Sequence, residues 1–183
     1  KKTIALLPGS RETEVKKVLP IMLKTAEILG TSQQFQFILI KSPIVDRNVY
    51  DNIVGARCSV PLHIIDQNRY DAVAASDFAL VASGTATLET AILGVPMALI
   101  YKVNLLTYIL ARMLIKIPYI GLVNVIANEK IIEEFIQFGA SPKKIADECI
   151  DILHSPAKIS KSLLPILGAV LSCMTRKTIE QST

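Results

Sequence analysis

The chain has 183 residues and is 51% apolar, enough for a packed core and too much for a disordered segment. Aromatic residues make up only 5% and Trp is absent, which argues against a stacking platform for single-stranded nucleic acid. The net charge of +4 comes from 20 Lys and Arg set against 16 Asp and Glu, spread along the chain; no nucleic-acid partner is expected, while an anionic ligand or an anionic membrane surface would suit.

Lys1-Lys2 runs directly into an apolar strand over residues 3–7. No signal peptide opens the chain, and so abrupt a start is expected of a piece of a longer protein. The strand ends at Pro8-Gly9-Ser10-Arg11, where Ser10, with Thr13 or Glu14 beyond it, can start a helix. Val15, Val18, Leu19, Met22, Leu23 and Ala26 keep helical spacing up to Gly30. A second strand is expected over 35–40, a helix over 44–53 and a third strand over 62–65. A short helix at 70–75 precedes a strand at 78–81 and a helix over 85–93. Gly94-Val95-Pro96 then turns the chain into a strand at 97–101.

Strands and helices alternating at this spacing imply an α/β fold, a doubly wound, Rossmann-like parallel sheet covered on both faces. Beyond it, residues 105–117 are almost uniformly apolar, with Arg112 and Lys116 one turn apart. The run is too short and too charged to span a bilayer. It reads either as a helix buried in the domain or in a homodimer, or as an interfacial helix resting on a membrane surface. Helices are expected over 129–138, 142–153 and 160–178, the second opened by Ser141-Pro142. Residues 1–156 thus form a Rossmann-like domain and 157–183 a helical carboxy-terminal tail.

Cys58, Cys149 and Cys173 stand far apart, as do His63 and His154. Free thiols in a reducing compartment are expected, and no metal site.

The chemistry gathers at two polar turns, Gly9-Ser10-Arg11 and Ser83-Gly84-Thr85, both expected at the carboxyl edge of the sheet where such folds bind ligands. Ser83 can cap the following helix, and Gly84 lets a ligand approach the backbone closely. The free N–H groups of a first helical turn, at the positive end of the dipole, bind phosphate. Glu89 falls four residues after Thr85, on the same helix face, where a carboxylate can accept hydrogen bonds from the paired hydroxyls of a ribose. Phosphate at the tip and ribose one turn along describe a nucleotide site; the same residues also suit a plain helix start.

Three blocks carry a resemblance to a known family. They are Leu6-Leu7-Pro8-Gly9-Ser10-Arg11 with Glu14 beyond it; Ala75-Ser76-Asp77 leading into Ala82-Ser83-Gly84-Thr85-Ala86-Thr87-Leu88-Glu89; and the segment 96–124. The last contains Tyr101-Lys102, Thr107, Leu110-Ala111 and Tyr119-Ile120-Gly121-Leu122-Val123-Asn124. In this order, over roughly residues 2–156, they resemble the carboxy-terminal half of lipid-A-disaccharide synthase, a GT-B type glycosyltransferase. One departure is Val123, where the family pattern has a proline, a loss of fixed φ expected to loosen the loop carrying Asn124.

The resemblance implies the nucleotide-sugar-binding half of a GT-B fold, holding the UDP part of UDP-2,3-diacylglucosamine. The acceptor would be 2,3-diacylglucosamine 1-phosphate, with release of UDP and inversion at the anomeric centre, and no metal or other cofactor. An amino-terminal domain would complete the acceptor pocket and supply catalytic groups. Gly9, Ser10, Arg11, Ser83, Gly84, Thr85, Glu89 and Asn124 are then the expected binding residues. Arg11 would fork onto phosphate oxygens, Glu89 would hold the ribose, and Asn124 would meet the diphosphate or sugar or else hydrogen-bond backbone. The protein would be cytoplasmic, or peripheral on the inner membrane of a Gram-negative bacterium. Another UDP-sugar transferase or epimerase of this architecture, or a non-catalytic nucleotide-binding regulatory domain, would share the same crevice.

Overall fold

The computed structural model describes residues 1–104, 119–155 and 168. Six strands form one sheet: β1 (Lys2–Leu7), β2 (Phe35–Ile40), β3 (Leu62–Ile65), β4 (Phe78–Ala82), β5 (Met97–Tyr101) and β6 (Glu133–Ile136). Every pairing is parallel, in the order β3-β2-β1-β4-β5-β6. Consecutive parallel strands need crossovers, and helices α1 (Glu12–Gly30), α2 (Arg47–Arg57), α3 (Arg69–Ala74), α4 (Thr85–Ile92), α5 (Leu122–Ala127) and α6 (Pro142–Leu153) lie between or after them. The order runs outward from β1 in one direction and from β4 in the other. The expected doubly wound, Rossmann-like sheet is therefore present, with its reversal point between β1 and β4.

Alternation along each strand divides the core. Ile4 and Leu6 of β1, with Phe78 and Leu80 of β4, pack under α1 and α6, whereas Ala5, Ala79 and Val81 face the side covered by α3, α4 and α5. The six α1 positions singled out by helical spacing, from Val15 to Ala26, are all at most 1% exposed. Fully burying one such Val, Leu or Met contributes about 1.5–3 kcal/mol, so this stripe holds α1 to the sheet far more firmly than its helix propensity does.

Four expectations need correction. The helix expected over 44–53 starts instead at Arg47, because the Asp46 side chain caps it by accepting from the Asn48 N–H at 2.8 Å, and it continues to Arg57. The segment 129–138, expected as a helix, is strand β6 followed by a short 3-10 turn, Gln137–Gly139. Its apolar residues keep helical spacing, but the vacant edge of β5 offers a ladder, and Ile100 and Tyr101 pair with Phe135 and Ile136. Ser10 does not open α1: Arg11 stands at its N-cap without a side-chain hydrogen bond. Nor does Ser83 cap α4. Its N–H donates to the Ile100 carbonyl at 3.3 Å, extending the sheet ladder, and Gly84 stands at the cap of a helix that starts at Thr85 as expected. The segment 105–117 and the helix at 160–178 fall outside the described residues, Gly168 apart.

Candidate functional site

At the carboxyl edge, where β1 and β4 part, a cavity of about 250 Å³ opens. Gly9 and Ser10 form one wall, and Ser83, Gly84, Thr85 and Glu89 another. The two turns read from the sequence thus meet in one crevice, as the reversal of strand order requires. Gly84 has φ +143° and ψ −162°, a region that only glycine occupies freely, and space beside it is open. The N-terminus of α4 has no side-chain cap, and Thr87 Oγ1 donates to the Gly84 carbonyl at 2.7 Å. Among the described residues no side chain is bound to the amides of this first turn, which stands in the crevice wall. Thr85 and Glu89 are exposed one turn apart.

Glu14 also lines the cavity. Its Oε2 accepts from the Ser10 N–H at 3.2 Å, and Gly9, at φ +112°, leaves the room it needs: a Cβ there would lie 2.0 Å from that oxygen. Burial pushes the Glu14 carboxyl above the ordinary glutamate range, opposed by its hydrogen bond from Ser10 and by the charge of Arg11. A carboxyl whose pKa is raised on folding stabilises the folded state while protonated, and that contribution is lost as pH rises through the folded value. Relative to wild type, Glu14→Gln should therefore be more stable at about pH 7 than at about pH 4, as read by urea unfolding at each pH.

Two cations in the crevice went unnoticed in the sequence. Lys41, at the end of β2, is paired with Asp66 at 3.5 Å; Arg69, at the start of α3, lies with its guanidinium 6.0 Å from the Tyr70 ring centroid and makes no ion pair among the described residues. The edge rule that picked out the turns after β1 and β4 applies equally to those after β2 and β3, and it was the available signal. The β2 turn is held from beneath by fully buried Tyr50, whose hydroxyl accepts from the Ser42 N–H at 3.1 Å.

Arg11 is exposed beside the first turn but does not line the cavity. Asn124 lies elsewhere. It is fully buried, and its amide is spent on the protein: Nδ2 donates to the Ile132 carbonyl and to Glu134 Oε1, at 2.9 and 2.8 Å, while Oδ1 accepts from the N–H groups of Ile131 and Ile132, at 2.8 and 2.9 Å. The Glu134 carboxylate in turn accepts from the N–H groups of Ile120 and Gly121, both at 2.9 Å. Val123, in place of the family proline, is 1% exposed within α5, so it and Asn124 stand in a helix and not in the loop expected there.

The model of the family described as lipid-A-disaccharide synthetase matches residues 1–164. The chain belongs to the lipid-A-disaccharide synthetase family. It is 46% identical over 147 residues to the lipid-A-disaccharide synthase of Syntrophus aciditrophicus, covering 80% of this chain and 38% of that one. The same named enzyme of Nitrosococcus oceani is 43% identical over 149 residues, again covering 80% and 38%. The chain thus spans well under half the length of these synthetase-family relatives. Among solved structures, it is similar to a Listeria monocytogenes protein assigned as a UDP-N-acetylglucosamine 2-epimerase, with a TM-score of 0.60 and 11% identity over 90% of this chain and 39% of that one. A Neisseria meningitidis UDP-GlcNAc 2-epimerase bound to UDP-GlcNAc gives a TM-score of 0.54 and 14% identity over 98% and 44%. At such identities these two show the fold alone. Among the described residues no helix is long and apolar enough to cross a membrane.

Proposed function

We propose that this chain is the nucleotide-sugar-binding half of a GT-B glycosyltransferase of lipid A biosynthesis. The observation that carries the reading is the crevice between β1 and β4, with the uncapped first turn of α4 in one wall and Glu89 one turn along. In this assignment the amides of Gly84 and Thr85 take the diphosphate of UDP-2,3-diacylglucosamine, and Glu89 accepts from the ribose hydroxyls. Gly9 and Ser10 close the crevice opposite, and Arg11 reaches phosphate oxygens from outside the cavity lining. The acceptor, 2,3-diacylglucosamine 1-phosphate, attacks the anomeric carbon through a hydroxyl that gives its proton to a base of the amino-terminal domain; the bond to the diphosphate breaks, UDP leaves and the centre inverts. Negative charge grows on the leaving diphosphate, and fixed N–H donors stabilise it without reorganising during the reaction.

Acceptor pocket and catalytic groups belong, on this reading, to an amino-terminal domain. The acylated substrates place the work at the cytoplasmic face of the inner membrane, and the apolar run 105–117 with Arg112 and Lys116 is the segment suited to that surface. Asn124 is left out of the proposed contacts, because its amide has no donor or acceptor to spare.

Calorimetric titration with UDP tests the reading. The wild-type chain should bind, and Glu89→Ala should bind about ten- to a hundredfold more weakly, the loss of a charge-assisted hydrogen bond. Arg11→Ala should lose less, in keeping with its place outside the lining. Unchanged affinity in Glu89→Ala would remove the ribose assignment, and no binding of UDP by the wild type would remove the nucleotide reading.

A further inference from the structure

The crevice contains an anomaly that nucleotide binding leaves unexplained. A site assigned to a diphosphate has a carboxylate, Glu14, in its wall. The two turns that meet there also differ in state. The first turn of α4 has no side-chain cap, whereas the turn before α1 already has its Ser10 amide bound by Glu14 Oε2. A glutamate in the first turn of a helix reaching back to an amide at its start is a familiar capping device. Here that amide belongs to the wall of the cavity, so cap and ligand compete for one donor.

Glu14 is weakly held. Its hydrogen bond from the Ser10 N–H, at 3.2 Å, is at the long end of the normal range, and the attraction added by the charge and backbone of Arg11 is smaller than the cost of burial. No ion pair among the described residues fixes the carboxylate, and partial burial disfavours its charged form. Gly9 presents no side chain to trap it, since its missing Cβ is what gives Oε2 its place. These features suit a group that leaves when a stronger anion arrives.

We infer that Glu14 is a positioning residue that stands in for the ligand's phosphate, holding the Ser10 amide until a diphosphate displaces it. The empty crevice keeps its turn ordered with an internal anion, and binding exchanges that carboxylate for phosphate oxygen. Part of the intrinsic affinity is consumed in the exchange, and product diphosphate is released more readily because Glu14 returns to the amide. The inference rests on the nucleotide reading above and extends it to the first turn.

Inorganic diphosphate and UDP, each titrated calorimetrically into wild type, Glu14→Gln and Glu12→Gln, test it. Glu14→Gln keeps an oxygen for the Ser10 N–H, so the turn stays formed, but removes the competing charge. Glu12→Gln makes the same charge change in the same helical turn, at an exposed residue paired with Lys16. Glu14→Gln should bind inorganic diphosphate about three- to tenfold more tightly than wild type, and Glu12→Gln should stay within about twofold. In wild type the Ser10 amide and the Glu14 carboxyl resonances should shift together as inorganic diphosphate is added, a readout that needs no variant to fold. Equal gains in the two variants, no gain in Glu14→Gln, or a Glu14 resonance that stays still at saturation would overturn the inference while leaving UDP binding intact. No binding of UDP by the wild type would overturn the nucleotide reading itself.

Discussion

Asn124→Ala should cost this domain about 1–3 kcal/mol of stability, measured by urea unfolding. The side chain is fully buried and makes four hydrogen bonds, two of them accepted from the backbone N–H groups of Ile131 and Ile132. Truncation leaves the Ile131 N–H its second acceptor, the Glu129 carbonyl at 3.1 Å, but takes from the buried Ile132 N–H its Asn124 partner, and a buried unsatisfied group costs about 1–3 kcal/mol. Asn124→Asp is the sharper variant. It keeps an acceptor for the two N–H groups but replaces Nδ2, now 2.8 Å from Glu134 Oε1, with a second carboxylate oxygen. At neutral pH two negative charges would then meet inside the protein, and the Asp variant should be at least as unstable as the Ala variant. Acidification should restore it, because a single shared proton remakes the hydrogen bond. A nucleotide contact at this position predicts the reverse: stable variants that have lost UDP affinity.

The same cluster shows where the sequence was legible and where it was not. Strands β2, β3 and β5 and helix α6 appear with the boundaries read from apolar runs, Gly and Pro, because their cores and stops are local. Segment 129–138 was misread because Ile131, Ile132, Phe135 and Ile136 suit a helical stripe as well as a half-covered strand. What decides is not local: β5 offers an unpaired edge, and the Asn124 amide, from another element, satisfies the N–H groups leading into β6. For the same reason Asn124 was placed among the ligand contacts. A turn asparagine reads alike whether it faces a ligand or its own backbone. The crevice, in contrast, was legible as far as the turns after β1 and β4, since strand alternation fixes which ends of the strands share an edge. Lys41 and Arg69 were missed because neither stands in a glycine-containing turn, although topology brings them to the same place.

Gly84→Ala should separate the conformational demand of the site from its packing. No atom lies within 4 Å of where a Cβ would stand, so the substitution creates no clash. The backbone, at φ +143° and ψ −162°, is nonetheless in a region essentially closed to residues with a side chain. Holding alanine there costs about 1–3 kcal/mol, and the chain can escape only by rotating the peptide planes on either side. Those planes carry the amides assigned to the diphosphate, so strain and function fall on the same bonds. The expected result is a stability loss of about 1–3 kcal/mol with UDP affinity reduced about tenfold or more, from misaimed donors. Gly55→Ala is the matching control. Gly55 lies inside α2 with open space around it and an ordinary helical backbone, so alanine there should be neutral or stabilising by about 0.5–1 kcal/mol and leave UDP binding unchanged. Should Gly84→Ala lose stability yet bind UDP as tightly as wild type, the amides of this turn hold no phosphate, and the unusual glycine serves only to turn the chain from β4 into α4.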